Sequence, residues 1–271
     1  MPRCGGFISR RNIENMNKLI FLILLILIPN SSLQAKENWQ LLKSTHFFIY
    51  YQSAGENTAN DLAQRAESCY TNITDELGFN RFNFWTWDNR ARIYLFDNQA
   101  DYQKDTGASG WSAGEAFVKN KVIKTFLTAP GFLENVLPHE MAHIIFREMV
   151  GFYNPAVPLW LEEGVATYHE NKFPLLKYKL AVKIKEGNFI SLNDLNRLRS
   201  LGQEEKTKVE LFYAQSNSLV GYLIAEFGKD RFVFFCQSLR DNRDFSSALS
   251  KAYSISNLSG LETAWKEYIL R

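Results

Sequence analysis

His139-Glu140-Met141-Ala142-His143, with Glu163 following inside Leu159-Trp160-Leu161-Glu162-Glu163-Gly164, is the stretch on which the reading of this chain turns. Residues four apart on a helix share one face, so both imidazoles can point at a single ion. Glu140, one step round the helix, leans toward the same cleft. The chain holds only 4 histidines, at 46, 139, 143 and 169, which makes two of them in this spacing around a glutamate a specific signal.

A catalytic zinc takes three protein ligands and leaves a fourth position for water, and His139, His143 and Glu163 are the three expected here for one Zn2+ ion. Such a ligand set keeps the site net positive and lowers the pKa of a water in the open position from about 15.7 toward roughly 7. Glu140 is expected to act as general base, taking a proton from that water and passing it to the leaving group. The motif works only on a helix. Asn135 is the expected cap, Pro138 falls in the first turn, and Gly151 supplies a left-handed stop. Pro155 and Pro158 favour an extended approach to a second helix, on which small Gly164 and Ala166 permit close contact with the first. Glu170 is a candidate acceptor for the distal N–H of a ligand histidine, while His169 should point elsewhere.

On these residues the chain resembles a gluzincin metallopeptidase, and within that group is most similar to the peptidase MA-like domain. The motif His139 to His143 and the run Trp160-Leu161-Glu162-Glu163-Gly164-Val165-Ala166 carry the resemblance. It implies that Glu163, immediately before the glycine, is the third ligand rather than Glu162. Ser44 to Tyr51 and Ala91 to Phe96 look like the family's first strands, and Tyr213 to Val220 like the helix start beyond its third ligand. The aminopeptidases of the group carry a glutamate in a Gly-x-Met-Glu-Asn stretch. Glu115 stands near that place without the Met and Asn, so exopeptidase activity does not follow.

With 271 residues and 46% hydrophobic content, the chain can bury a sizeable core. A net charge of +2 with no strong basic cluster after the leader excludes dedicated nucleic-acid binding. Leu19 to Ile28 is an apolar run too short for a bilayer span, which needs about 20 residues, and suits a signal-peptide core. Residues 1–35 therefore read as a signal peptide cut after Ala35, with 1–15 a misassigned start ahead of Met16. Export to the periplasm, envelope or exterior is the expectation, and membrane association only if the leader is uncleaved. Cys69 and Cys236 remain; no framework of disulfides can be built from two, and buried thiols are expected over a bridge.

The fold expected is α+β with a gluzincin-like (thermolysin-like) catalytic core. A mixed sheet-and-helix lobe occupies residues 36–172 and a helical lobe 173–271. Trp39 to Gln52 and Ala91 to Phe96 read as strands, Glu56 to Leu77 as a helix ended by Gly78, and Trp111 to Leu127 as a hairpin turning near Lys119 to Lys121. The hairpin offers a sheet edge that could take an extended polypeptide. Helices are expected over Leu175 to Glu186, Ser191 to Ser200, Lys208 to Phe227 and Asp230 to Asp241. Tyr213, opening the third of these, is the candidate to stabilise an oxyanion, with Tyr168 its competitor. No Gly-x-Ser-x-Gly elbow or phosphate-binding loop is present. The expected activity is an exported zinc-dependent peptidase acting on peptide or polypeptide. The alternatives are a catalytically quiet envelope scaffold on the same fold, or hydrolysis of a non-peptide amide.

Overall fold

The computed structural model describes residues 39–110, 112–169, 173–202 and 204–271, and of 173–175 the backbone alone. The expected leader, Trp111 and Glu170 lie outside the described residues. Trp39–Arg271 forms one compact unit. No helix among the described residues is long and apolar enough to cross a membrane.

The expected first strand is in fact two. β1 (Gln40–Lys43) and β2 (Phe47–Tyr51) pair antiparallel, Gln40 opposite Tyr51. The turn between them is pinned from outside: Glu67 accepts from the Ser44 hydroxyl at 2.6 Å, the His46 amide at 2.8 Å and His46 Nδ1 at 2.6 Å. Burial alone would raise the Glu67 carboxyl, but these hydrogen bonds hold it below its usual value. Glu67 belongs to α1 (Glu56–Leu77), whose buried Ala59, Leu62, Ala63, Ala66, Tyr70, Ile73 and Leu77 recur at helical spacing. Gly78 ends it at φ 75° as expected.

α1 is the crossover that lets β3 (Ala91–Phe96) lie parallel to β2, since parallel strands cannot be joined by a tight turn. The expected hairpin follows as β4 (Gly114–Phe117) and β5 (Val122–Phe126), joined through a short 3-10 turn at Val118–Asn120. An unexpected helix, α2 (Gln99–Thr106), capped by Asn98, precedes it. The sheet order is β1-β2-β3-β5-β4, with β3 and β5 parallel. β4 is therefore an edge. Phe47, Ile49, Ile93 and Ile123 are fully buried in the core that also takes the apolar side of α3 (Leu137–Val150): Met141, Ala142, Ile144, Ile145 and Met149.

Asn135 does not cap α3. It lies inside a π-turn, Phe132–Val136, that runs straight into the helix, so the first turn of α3 is satisfied by backbone rather than by a side-chain cap. Pro138 sits in the first turn as expected, and Gly151 ends the helix at φ 96°. α4 (Leu159–Tyr168) begins directly after Pro158. The remaining helices are α5 (Phe173–Lys185), α6 (Leu192–Arg197), α7 (Lys206–Phe227), α8 (Lys229–Asn242), α9 (Phe245–Tyr253) and α10 (Leu258–Leu270). The fold is thus mixed α+β, and among the described residues every strand lies ahead of α3.

α4 and α7 touch backbone to backbone. A Cβ on Gly164 would fall 2.4 Å from the Ser216 carbonyl oxygen and 2.8 Å from a Val220 methyl. Asn217 of α7 adds a 2.6 Å hydrogen bond from its amide to the Thr167 carbonyl. Gly164→Ala must push the two helices apart, and overpacking of this kind costs about 1–3 kcal/mol. For a chain of this size that is a fall in melting temperature of roughly 2–4 °C per kcal/mol. Thermal unfolding checks it; an unchanged midpoint would mean that the seam yields without strain.

Candidate metal centre

α3 buries one side in the core and turns His139 and His143 to the other. Their rings stand 4.8 Å apart at 81°, and their Nε2 atoms approach to 3.2 Å. α4 runs alongside and brings the Glu163 carboxylate against both: Oε2 lies 3.9 Å from His139 Nε2 and 3.8 Å from His143 Nε2. One ligand atom from each of the three lies within 4.8 Å of the others. The three residues singled out from the sequence converge, and Glu163 rather than Glu162 makes the third corner.

The electrostatics of this triangle fit a cation. Glu163 Oε2 is buried with no hydrogen-bond partner, a state that leaves the full desolvation penalty standing. Burial, then the neighbouring Glu162 and Glu140 carboxylates, push the Glu163 carboxyl up to about 7, against a hydrogen bond from the Tyr213 phenol that lowers it. Burial, His139 and Arg147 push His143 down to about 3, so its ring is neutral and has a lone pair to give. Two neutral imidazoles and a carboxylate are the donor set of a catalytic zinc with an open corner. The free thiols, Cys69 and Cys236, are both buried, and neither belongs to the triangle.

Glu140 faces the sheet edge. Burial and the Glu115 carboxylate raise it to about 7, while the Ala116 amide of β4 donates to it and lowers it. Glu115, weighed from sequence as an amino-end anchor, is thus a near neighbour of the expected base. Tyr213 does not open its helix: α7 starts at Lys206, and Tyr213 comes two turns later, with its phenol on the Glu163 carboxyl. Tyr168 packs edge-on against His169, 5.6 Å between centroids, rather than on the metal triangle. His169 points away from the triangle as expected, its Nδ1 bonded to Glu76 of α1.

Sequence reasoning missed the Arg147–Glu162 pair. Arg147, one turn beyond His143, donates Nε to Glu162 Oε1 at 2.8 Å and a second guanidinium nitrogen to Oε2, while its Nη1 reaches the Asn154 carbonyl at 3.2 Å. This two-pronged grip holds the Glu162 carboxylate 3.8 Å from His143 Nδ1, away from the ligand corner. The residue types were visible, and so was the spacing of Arg147 four positions after His143. Nothing in the sequence marked Glu162 as its partner.

Two cavities meet at His139. One, about 340 Å³, opens toward α1; the other, about 480 Å³ and mostly apolar, is bounded by Leu176, Tyr213 and Ala214.

The family model of the Peptidase MA superfamily matches residues 87–271, from just ahead of β3 to the end of the chain. No curated protein matches the chain in sequence. Among 26 solved chains that match, one is the crystal structure of a two-domain M1 zinc metallopeptidase mutant bound to L-arginine. It is 12% identical with a TM-score of 0.46 over 85% of this chain and 51% of that one. This chain spans about half the length of that neighbour.

Proposed function

The chain belongs to the peptidase MA superfamily, with a gluzincin-like domain, and from that premise we propose that it is an exported zinc-dependent peptidase in which Glu140 is the general base. One observation carries the reading: the buried, unpartnered Glu163 Oε2 stands within 4 Å of the Nε2 atoms of both His139 and His143.

His139, His143 and Glu163 would hold the zinc, which supplies a Lewis acid for the scissile carbonyl and acidifies a water in its open corner. Glu140, a carboxyl already destabilised as an anion by burial and by Glu115, is suited to take up a proton at the attacking water and deliver it to the departing amine. The Ala116 amide keeps that carboxyl oriented while it does so. The Tyr213 phenol donates its single proton to Glu163 in the free protein, and once that carboxylate is a metal ligand the same O–H is released to donate to the developing oxyanion. β4 is an edge strand, the kind of element to which an extended peptide adds. The reading extends to a thermolysin-like arrangement, with the strand-bearing part up to residue 172 and the helices after it flanking the metal. The apolar run in 1–35 supports export.

Digestion of casein and of a mixed peptide library, with and without a chelator, tests the proposal. We expect cleavage that the chelator abolishes and added zinc restores. Stoichiometric zinc with no peptide product would leave the fold as a binding scaffold, and release of products only from non-peptide amides would move the activity to another bond.

A further inference from the structure

Two glutamates follow one another on α4, Glu162 and Glu163, and only the second belongs to the metal triangle. The first is taken up by Arg147. Arg147 follows His143 by one turn of α3 and so lies on the same side of that helix. It donates through Nε to Glu162 Oε1 at 2.8 Å and through Nη2 to Oε2, and both side chains are only 16% exposed. A pair this sheltered, joined at two points, keeps one geometry where an ion pair in open water would not.

The guanidinium is itself fixed from behind. Its Nη1 donates to the carbonyl of Asn154 at 3.2 Å, in the segment that joins α3 to α4. Asn154 is buried, and its side-chain amide donates to the Val150 carbonyl at 3.0 Å and to the Leu239 carbonyl of α8 at 2.9 Å. A continuous run of hydrogen bonds thus leads from α8 through Asn154 and Arg147 to the Glu162 carboxylate. That run ends against a ligand. Glu162 Oε1 lies 3.8 Å from Nδ1 of His143, whose Nε2 faces Glu163 and His139. An imidazole that ligates through Nε2 carries its proton on Nδ1, and a metal-bound ring ordinarily gives that proton to a carboxylate, carbonyl or water. A slight turn of the ring brings the 3.8 Å contact into hydrogen-bond range.

Resting on the metal site of the peptidase reading, we propose that Arg147 and Glu162 are a positioning pair for His143. The Glu162 carboxylate, fixed by Arg147, accepts the Nδ1 proton of the metal-bound ring, sets the direction of the Nε2 lone pair and strengthens it as a donor.

The test reads metal binding rather than turnover. Zinc affinity is measured by competition with a chromophoric chelator for the parent and for the double variant Arg147→Met with Glu162→Leu. Removing both partners of a sheltered ion pair together is tolerated where removing one is not, so the double variant should melt near the metal-free parent. Its zinc affinity should fall by about 10- to 100-fold, the usual effect of losing the partner of a ligand imidazole. The zinc-loaded parent gives a second reading that needs no variant: with nitrogen-15 in the histidine rings, His143 should show a proton on Nδ1, shifted downfield and protected from exchange with water. A folded double variant that binds zinc as tightly as the parent, or an Nδ1 proton that exchanges freely, reduces the pair to a tie between α3 and α4 and overturns the proposal. A parent that takes up no zinc sinks the metal reading and the pair with it. Zinc weakened in the double variant, with no peptide product from the parent, keeps the pair and sinks the peptidase reading alone.

Discussion

Glu140→Gln is expected to slow peptide hydrolysis by about 10²- to 10⁴-fold, the usual worth of a positioned acid–base group. The amide keeps the shape of the side chain and can still face the Ala116 amide, but it cannot take up a proton. Glu140 is absent from the set of three that converge on the metal position, so zinc content should stay at one per chain. Stability should hold or rise, because the change removes a carboxylate that burial and Glu115 already disfavour as an anion. The measurement is kcat/KM on a cleaved peptide, beside metal content and melting temperature. A variant that hydrolyses as fast as the parent would remove Glu140 from the mechanism. One that loses zinc would make it a ligand.

His143→Ala should abolish activity by a different route. The alanine leaves His139 and Glu163 alone at the corner, and loss of a ligand should weaken zinc binding by more than the 10- to 100-fold that follows from losing a ligand's hydrogen-bond partner. In the parent, zinc at a hundredfold over its dissociation constant adds about 2.7 kcal/mol of stability. At roughly 2–4 °C per kcal/mol, this is a rise in melting temperature of about 5–11 °C on adding zinc to the metal-free protein. The variant should show almost none of it. Removal of the buried imidazole also leaves Glu162 beside a void and still gripped by Arg147, so the metal-free variant should fold. Full retention of zinc and of the thermal shift in His143→Ala would exclude this ligand set.

The sequence carried those parts of the molecule that rest on local signals. β3 and α1 fall where β-favouring residues and a helical apolar stripe ending in Gly78 put them. The triangle of ligands was legible because two corners are four residues apart on one helix and the third precedes a glycine that only a tight helix contact explains. α2 was not legible: its one buried residue is Tyr102, and no apolar stripe announces a helix of such polar residues. The break between β1 and β2 was hidden in a stretch of aromatic residues, because what turns the chain is Glu67, 21 residues past His46. The start of α7 was misplaced because no side chain caps it. Pairs such as Arg147 with Glu162 and Glu76 with His169 join positions whose separation along the chain carries no periodicity, and only the folded backbone brings them together.

The seam at Gly164 has a mechanical corollary. With no side chain between them, α4 and α7 cannot slide or splay independently, and Glu163 with the phenol of Tyr213 rides on them as a single stiff jaw. Compliance that admits a substrate must then come from the opposite jaw, formed by α1 and the β4 rim. Stiffening that opposite side, rather than the ligand side, is where turnover would become sensitive to motion.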